Sequence, residues 1–174
     1  MTSNLDKVIA QLSFLGLRPE ISKYEWRFII QKTTYLAQVL GITTNYLFTI
    51  YVSGPYSKEL ADDYFQHITK VESLETEYDL TPEDITILER IKACCVIDQN
   101  AALMEGTSTT VYIMKQNPQL SDDEVILKLK AIKRHLNDTT LIIGLNKAKE
   151  LLFKPEYLTP ELRMEIERWG NMND

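Results

Sequence analysis

Apolar residues recur every three or four positions along most of this chain, and that spacing is typical of amphipathic helices. Leu5, Val8 and Leu12 mark the first such run, and the whole pattern predicts seven or eight helices. Several runs begin with a side chain that can cap a helix, followed by an acid or a proline. These predicted starts are Ser22–Glu25, Ser57, Thr81–Asp84, Ser121–Glu124 and Thr159–Glu161.

One short run departs from the helical pattern. Tyr46–Val52 reads YLFTIYV, a set of aromatic and β-branched residues that is typical of a strand and too short for an ordinary helix. Val71–Tyr78 alternates loosely and is the predicted partner strand. The expected fold class is therefore mainly α, with a small β element of two or three strands.

The length and composition fit one ordinary globular domain. The chain has 174 residues, of which 44% are hydrophobic and 25% charged, enough to bury a sizeable core without disulfides or metals. We therefore expect a single compact helical domain over residues 1–174, closed by a C-terminal helix at 159–170.

The acidic balance limits the classes of partner. A net charge of −6 disfavours broad contact with a nucleic-acid backbone, which requires clustered basic residues. The densest basic stretch follows Asp122, Asp123 and Glu124, and is predicted to be a solvated helix face; its members are Lys128, Lys130, Lys133 and Arg134. No leader or membrane span is expected, because no run of eighteen apolar residues occurs.

The two cysteines are adjacent. Cys94 and Cys95 lie in a helical run, where neighbouring side chains diverge, so no disulfide is expected between them. Free thiols favour a reducing compartment, and the expected localisation is therefore cytoplasmic.

Catalytic signals are lacking. The two histidines, His67 and His135, have no orienting partners nearby in the sequence, and no zinc or phosphate-loop motif occurs. The acids Glu59, Asp62, Asp63 and Glu105 are predicted to lie on solvated faces. We expect neither a metal nor a cofactor, and a non-enzymatic role is favoured.

The sequence GPYS, between the predicted strand and the next helix, has two interpretations. Gly54 can adopt a positive φ, Pro55 fixes the turn, and Ser57 can cap a helix over Lys58–Ile68, which makes a structural corner. Alternatively the corner is a partner-binding surface with aromatic anchors. The candidate partner-binding residues are Tyr51, Gly54, Pro55, Tyr56 and Ser57.

Two stretches carry a family resemblance. QKTTYLAQ and YVSGPYSKELADDYF resemble a family of uncharacterised, often phage-associated bacterial and archaeal proteins with a Gly-Pro-Tyr-Ser motif, whose broader group includes the Panacea antitoxin domain. With LMEGTSTTVYIMKQ and SDDEVILKLKAIK, which are similar to the family's later helices, the resemblance covers roughly residues 5–153. The matching residues are Lys32, Tyr35, Leu36, Tyr51, Gly54, Pro55, Tyr56, Ser57 and Leu60.

The resemblance implies a mostly helical domain without enzymatic activity. Members of the broader group with a known role bind and neutralise partner toxins, and one branch acts as a proteolytic adaptor. The hypothesis is therefore an antitoxin-like module that binds a protein partner, such as a toxin encoded nearby. The alternative is a nucleic-acid-binding regulator, in which Tyr46–Val52 forms part of a winged or helix-turn-helix unit; the acidic charge disfavours it.

Overall fold

The computed structural model describes residues 2–95 and 100–153, together with residue 164. Contacts within the chain divide it into two units, Met1–Ala93 and Cys94–Asp174. The C-terminal helix predicted at 159–170 lies outside the described residues, and the single domain over 1–174 stays a prediction.

The described residues form eight helices and one small antiparallel sheet, which confirms the mainly α fold class. None of these helices has both the length and the apolar character needed to cross a membrane. The elements are α1 Asn4–Phe14, α2 Tyr24–Leu40, β1 Thr49–Tyr51, β2 Gly54–Tyr56, α3 Lys58–Gln66, α4 Ile68–Glu72, α5 Pro82–Cys94, α6 Ala101–Gln116, α7 Asp122–Ile132 and α8 Asp138–Leu152.

The first unit is built around α2, which contacts α1, α3 and the hairpin. The apolar stripe of α1 supplies Val8, Ile9 and Leu12, all of which are buried. From α2 the core receives Ile30 and Leu36, which are also buried. The stripe that predicted α1 therefore becomes the packing face, as expected for an amphipathic helix.

The β element is a local hairpin. Thr49 pairs with Tyr56 and Tyr51 with Gly54, so a two-residue turn at Val52 and Ser53 joins the strands. The predicted strand Tyr46–Val52 is confirmed only for its later part, Thr49–Tyr51. The predicted partner Val71–Tyr78 is wrong, because residues 68–72 are α4 and 75–80 have no regular structure. A two-residue connection closes at little entropic cost, which favours the local partner.

Most predicted caps are confirmed. The hydroxyls of Ser57 and Ser121 accept hydrogen bonds from the backbone at the third position of their helices, and Thr81 does the same for Asp84. The Ser22 cap is wrong: α2 begins at Tyr24, and Ser22 donates to Glu20 instead. The helix predicted over Lys58–Ile68 ends at Gln66, with a break at residue 67.

The second unit packs α6, α7 and α8 around an apolar cluster. Its members come from all three helices: Ile113, Val125, Leu129, Leu141 and Leu145. The backbones of α6 and α8 approach closely at two glycines, since a Cβ on Gly144 would lie 2.9 Å from the carbonyl carbon of Gly106. No larger residue fits there without moving a backbone.

A buried ion pair in the second unit corrects two sequence predictions. Lys133 is only 1% exposed, and its Nζ lies 3.0 Å from a carboxylate oxygen of Glu105. The same oxygen lies 2.9 Å from Nε2 of His135. The prediction of a solvated face is therefore wrong for both Lys133 and Glu105. The two residues are buried together because burial of either charge alone would be costly.

The adjacent cysteines are free and buried, so the prediction of no disulfide between them is confirmed. The Cys94 thiol donates to the carbonyl of Lys147 at 3.6 Å. Its hydrogen bond with Cys95 and its burial raise the pKa of the Cys94 thiol. The thiol therefore stays protonated and unreactive at neutral pH.

Asp6 gives the first unit a pH-dependent contribution to stability. It is 3% exposed, and it accepts hydrogen bonds from the backbone and hydroxyl of Ser3 while Lys70 lies 2.7 Å away. Burial opposes ionisation, but the hydrogen bonds from Lys70 and Ser3 prevail and lower the pKa of Asp6 from 3.8 to about 2. Because the pKa of Asp6 is lower in the folded state, its ionised carboxylate stabilises the protein at pH values above the unfolded-state pKa. This stabilisation is lost as the pH falls through the folded-state pKa.

We predict that Asp6→Asn lowers the free energy of unfolding by about 2 kcal/mol at pH 6, and that this difference shrinks as the pH falls from about 5 to about 2. Urea unfolding across that range measures the difference. Asp79→Asn, at an exposed carboxylate, is the matched control and should show no such trend. A wild-type-to-variant gap that is the same at every pH would contradict the assignment.

Candidate functional site

The Gly-Pro-Tyr-Ser turn is held by the helix that precedes it. Gln31 of α2 donates from Nε2 to the carbonyl of Ser57 at 2.9 Å and accepts the backbone N–H of Ser57 at 2.8 Å. The Ser57 hydroxyl caps α3 by accepting the N–H of Leu60. All of the polar groups of this fully buried serine are therefore used within the protein.

A second glutamine holds the other end of the hairpin in the same way. Gln38 donates to the carbonyl of Tyr46 at 2.8 Å and accepts its backbone N–H at 2.9 Å. Gln31 and Gln38 lie two helical turns apart and therefore share one face of α2. We call these two pairs of hydrogen bonds the glutamine clamps, and together they fix both ends of the segment 46–57.

Lys32 holds the middle of the turn. Its Nζ donates to the carbonyl of Pro55 at 2.8 Å and lies 4.9 Å from the centre of the Phe28 ring. Lys32 is 2% exposed, so its charge is engaged with protein groups rather than with bulk water. The two stretches that carry the family resemblance, QKTTYL and GPYS, thus meet directly in the structure.

The structure places the five predicted partner-binding residues at different depths. Gly54, Pro55 and Ser57 are buried, and Gly54 has φ +99°, as the sequence predicted. Tyr56 is half-buried, whereas Tyr51 is 57% exposed; their ring centres are 5.0 Å apart. The buried backbone of the turn therefore positions the two tyrosine rings, and the rings are the part of the turn that reaches solvent. Their role in binding stays a prediction.

An open groove of about 320 Å³ runs between α2, the hairpin and α3. Six aromatic residues line this aromatic groove: Tyr24, Phe28, Tyr51, Tyr56, Tyr64 and Phe65. Tyr24 closes one side through a 2.9 Å hydrogen bond between its hydroxyl and that of Ser53 in the hairpin turn. The groove is therefore bounded by structured elements on each side.

Several apolar side chains around the aromatic groove face solvent. Val52 is 83% exposed, and Tyr24 and Phe65 are at least half exposed. Contiguous apolar exposure of this kind, in contrast to scattered single residues, marks interaction surfaces. Sequence reasoning did not select Tyr24 or Phe65 as candidate binding residues, because an aromatic residue at a helix start or in an apolar helical stripe looks the same whether it is buried or exposed.

The charged residues that line the aromatic groove are both basic. They are Arg27 and Lys32, and no carboxylate of the described residues lines the groove. Burial raises the pKa of the Tyr64 hydroxyl in the floor, so this phenol is neutral at physiological pH. Locally, therefore, an acidic chain presents a basic and aromatic surface.

Within the part of the chain that the structure describes, no arrangement for catalysis is apparent. His67 is exposed, and His135 contacts the Glu105–Lys133 pair instead of a nucleophile. No group of three or more His, Cys, Asp or Glu among the described residues could hold a metal ion.

A scan against protein-family models, a search of curated proteins and a search of solved structures each find no match to this chain. The resemblance to the Gly-Pro-Tyr-Ser family therefore rests on the residues of this chain alone.

The clamps predict a specific pattern of stability losses. Gln31→Leu should lower the free energy of unfolding by about 2 kcal/mol, because it leaves a buried N–H without a partner. Ser57→Ala should cost about 1 kcal/mol through the lost cap. Gln66→Leu, at an exposed position of α3, is the control and should change little. Chemical denaturation measures all three, and equal effects of Gln31→Leu and Gln66→Leu would contradict the clamp.

Proposed function

We propose that this chain is a non-enzymatic interaction module that binds a partner protein through the aromatic groove. The observation that carries the proposal is the set of solvent-facing aromatic rings on a frame fixed by buried hydrogen bonds. Tyrosine and other aromatic residues dominate the binding energy of protein interfaces, because one ring buries a large area and loses little conformational entropy.

The fixed frame supports a binding role. The glutamine clamps determine where the hairpin lies against α2 before any partner arrives, so little ordering of the backbone has to accompany binding. The rings of Tyr51 and Tyr56 also restrict each other, since their centres are 5.0 Å apart. A preformed groove of about 320 Å³ accommodates a few side chains of a partner segment.

The family resemblance supplies the class of partner. We propose an antitoxin-like, phage- or defence-associated role, in which the partner is a toxin encoded by a neighbouring gene. The free, buried cysteines agree with action in the reducing cytoplasm. Co-expression with the products of neighbouring genes, followed by size-exclusion chromatography, identifies the partner as a stoichiometric complex.

We predict that Tyr51→Ala weakens the complex with that partner by about 2 kcal/mol, or about thirtyfold in Kd, as removal of an aromatic anchor does. The free energy of unfolding should change by no more than about 1 kcal/mol, because the ring is mostly exposed and lies outside the core. Isothermal titration calorimetry and thermal melts measure the two quantities.

Leu47→Ala is the matched control, since Leu47 is 70% exposed in the same unit but does not line the aromatic groove. Its affinity for the partner should match that of the wild type. Equal loss of affinity in both variants, or retention of full affinity by Tyr51→Ala, would remove the aromatic groove from the interface.

A further inference from the structure

We infer that the aromatic groove accepts an acidic, apolar segment of its partner: a carboxylate binds Arg27, and a neighbouring aromatic or aliphatic side chain packs on the tyrosine rings. This inference rests on the proposed function and specifies the chemistry of the bound segment.

The first argument is the state of Arg27. Its Nη1 donates to the carbonyls of Ile21 and Ser22, at 2.8 and 3.0 Å, which anchors the side chain. Within the described residues no acceptor contacts its Nη2 or Nε, and no carboxylate pairs with it. A guanidinium has five N–H donors, so an anchored cation with unused donors lines the groove.

The second argument is the setting of that cation. The guanidinium carbon lies 5.9 Å from the centre of the Tyr24 ring and 5.8 Å from that of Phe65. Aromatic faces attract the cation and limit where its planar fork can turn. A carboxylate is the protein group that matches this fork with two parallel hydrogen bonds. The rings supply the apolar contact beside it.

The third argument is charge complementarity. Among the described residues that line the aromatic groove there is no acid, and the other basic residue, Lys32, is buried. The chain as a whole carries a net negative charge of −6. A segment with one or two carboxylates can meet Arg27 alone, whereas an extended row of nucleic-acid phosphates would be repelled by the acidic remainder of the chain. Charge therefore favours a protein segment.

Selection from a displayed library of short random peptides tests the inference with the intact chain as bait. Wild-type protein should enrich peptides in which Asp or Glu lies within a few residues of Phe, Leu, Trp or Tyr. Selection on Arg27→Gln should retain the apolar residues and lose the acidic preference. Arg18→Gln, an exposed arginine of the same unit outside the groove, is the control and should select as the wild type does.

A double-mutant cycle on the best enriched peptide gives the quantitative test. Replacement of its acid by the amide should raise Kd by about tenfold or more, and so should Arg27→Gln, because each removes the same charge-assisted contact. The two changes together should cost no more than either alone. Arg27→Lys keeps the positive charge without the planar fork, so its affinity for the peptide should lie between those of the wild type and Arg27→Gln. The peptide variant leaves the protein unaltered, so a folding defect cannot produce its effect.

The remaining outcomes overturn the inference in distinguishable ways. Enrichment of apolar peptides without acids would reject the role of Arg27 and leave the groove as a protein-binding site. Enrichment of no peptide by well-folded protein would count against the proposed function itself. If the protein enriched no peptide but bound a fluorescent single-stranded oligonucleotide, and Arg27→Gln abolished that binding, the site would be assigned to nucleic acid.

Discussion

The structure of the first unit depends on two glutamines whose side-chain amides hydrogen-bond to the backbone of the loop, as a neighbouring strand would. Gln31 and Gln38 each exchange one donor and one acceptor with a backbone residue, at Ser57 and Tyr46 respectively. A buried backbone group without a partner costs about as much as a lost hydrogen bond. The segment 46–57 contains a hairpin of only three residue pairs, which could not fix its own position. The clamps therefore determine where the hairpin lies.

The same constraint explains why the Gly-Pro-Tyr-Ser turn combines buried and exposed residues. Its backbone has to reach Gln31 and Lys32, which draws Pro55 and Ser57 into the interior and leaves the rings of Tyr51 and Tyr56 at the surface. The structural and binding interpretations of this turn are thus compatible, because they concern different atoms. Arg27 lies one turn before Gln31 on α2 and lines the aromatic groove, so it gives the surface beside the clamps a positive charge.

Features that depend on neighbours in sequence could be predicted, and those that depend on distant partners could not. The caps at Ser57, Thr81 and Ser121 are local hydrogen bonds and were predicted correctly, as was the positive φ of Gly54. Lys133 looked like part of a solvated face because its partner Glu105 lies on another helix. Gln31 and Gln38 gave no signal, since a polar residue on a helix usually faces water. Of the residues that line the groove, the sequence led to the selection of Tyr51, Gly54 and Tyr56 as candidates, but not of Tyr24, Arg27 or Phe65.

Hydrogen exchange at the backbone amides of Tyr46 and Ser57 tests the clamps most directly, because each amide donates to a glutamine side chain and not to a helix or strand. The account predicts that both amides exchange slowly in the wild type, and that Gln31→Leu accelerates exchange at Ser57 while Tyr46 keeps its protection. Rapid exchange of the Ser57 amide in the wild type, at the rate of an exposed loop, would contradict it.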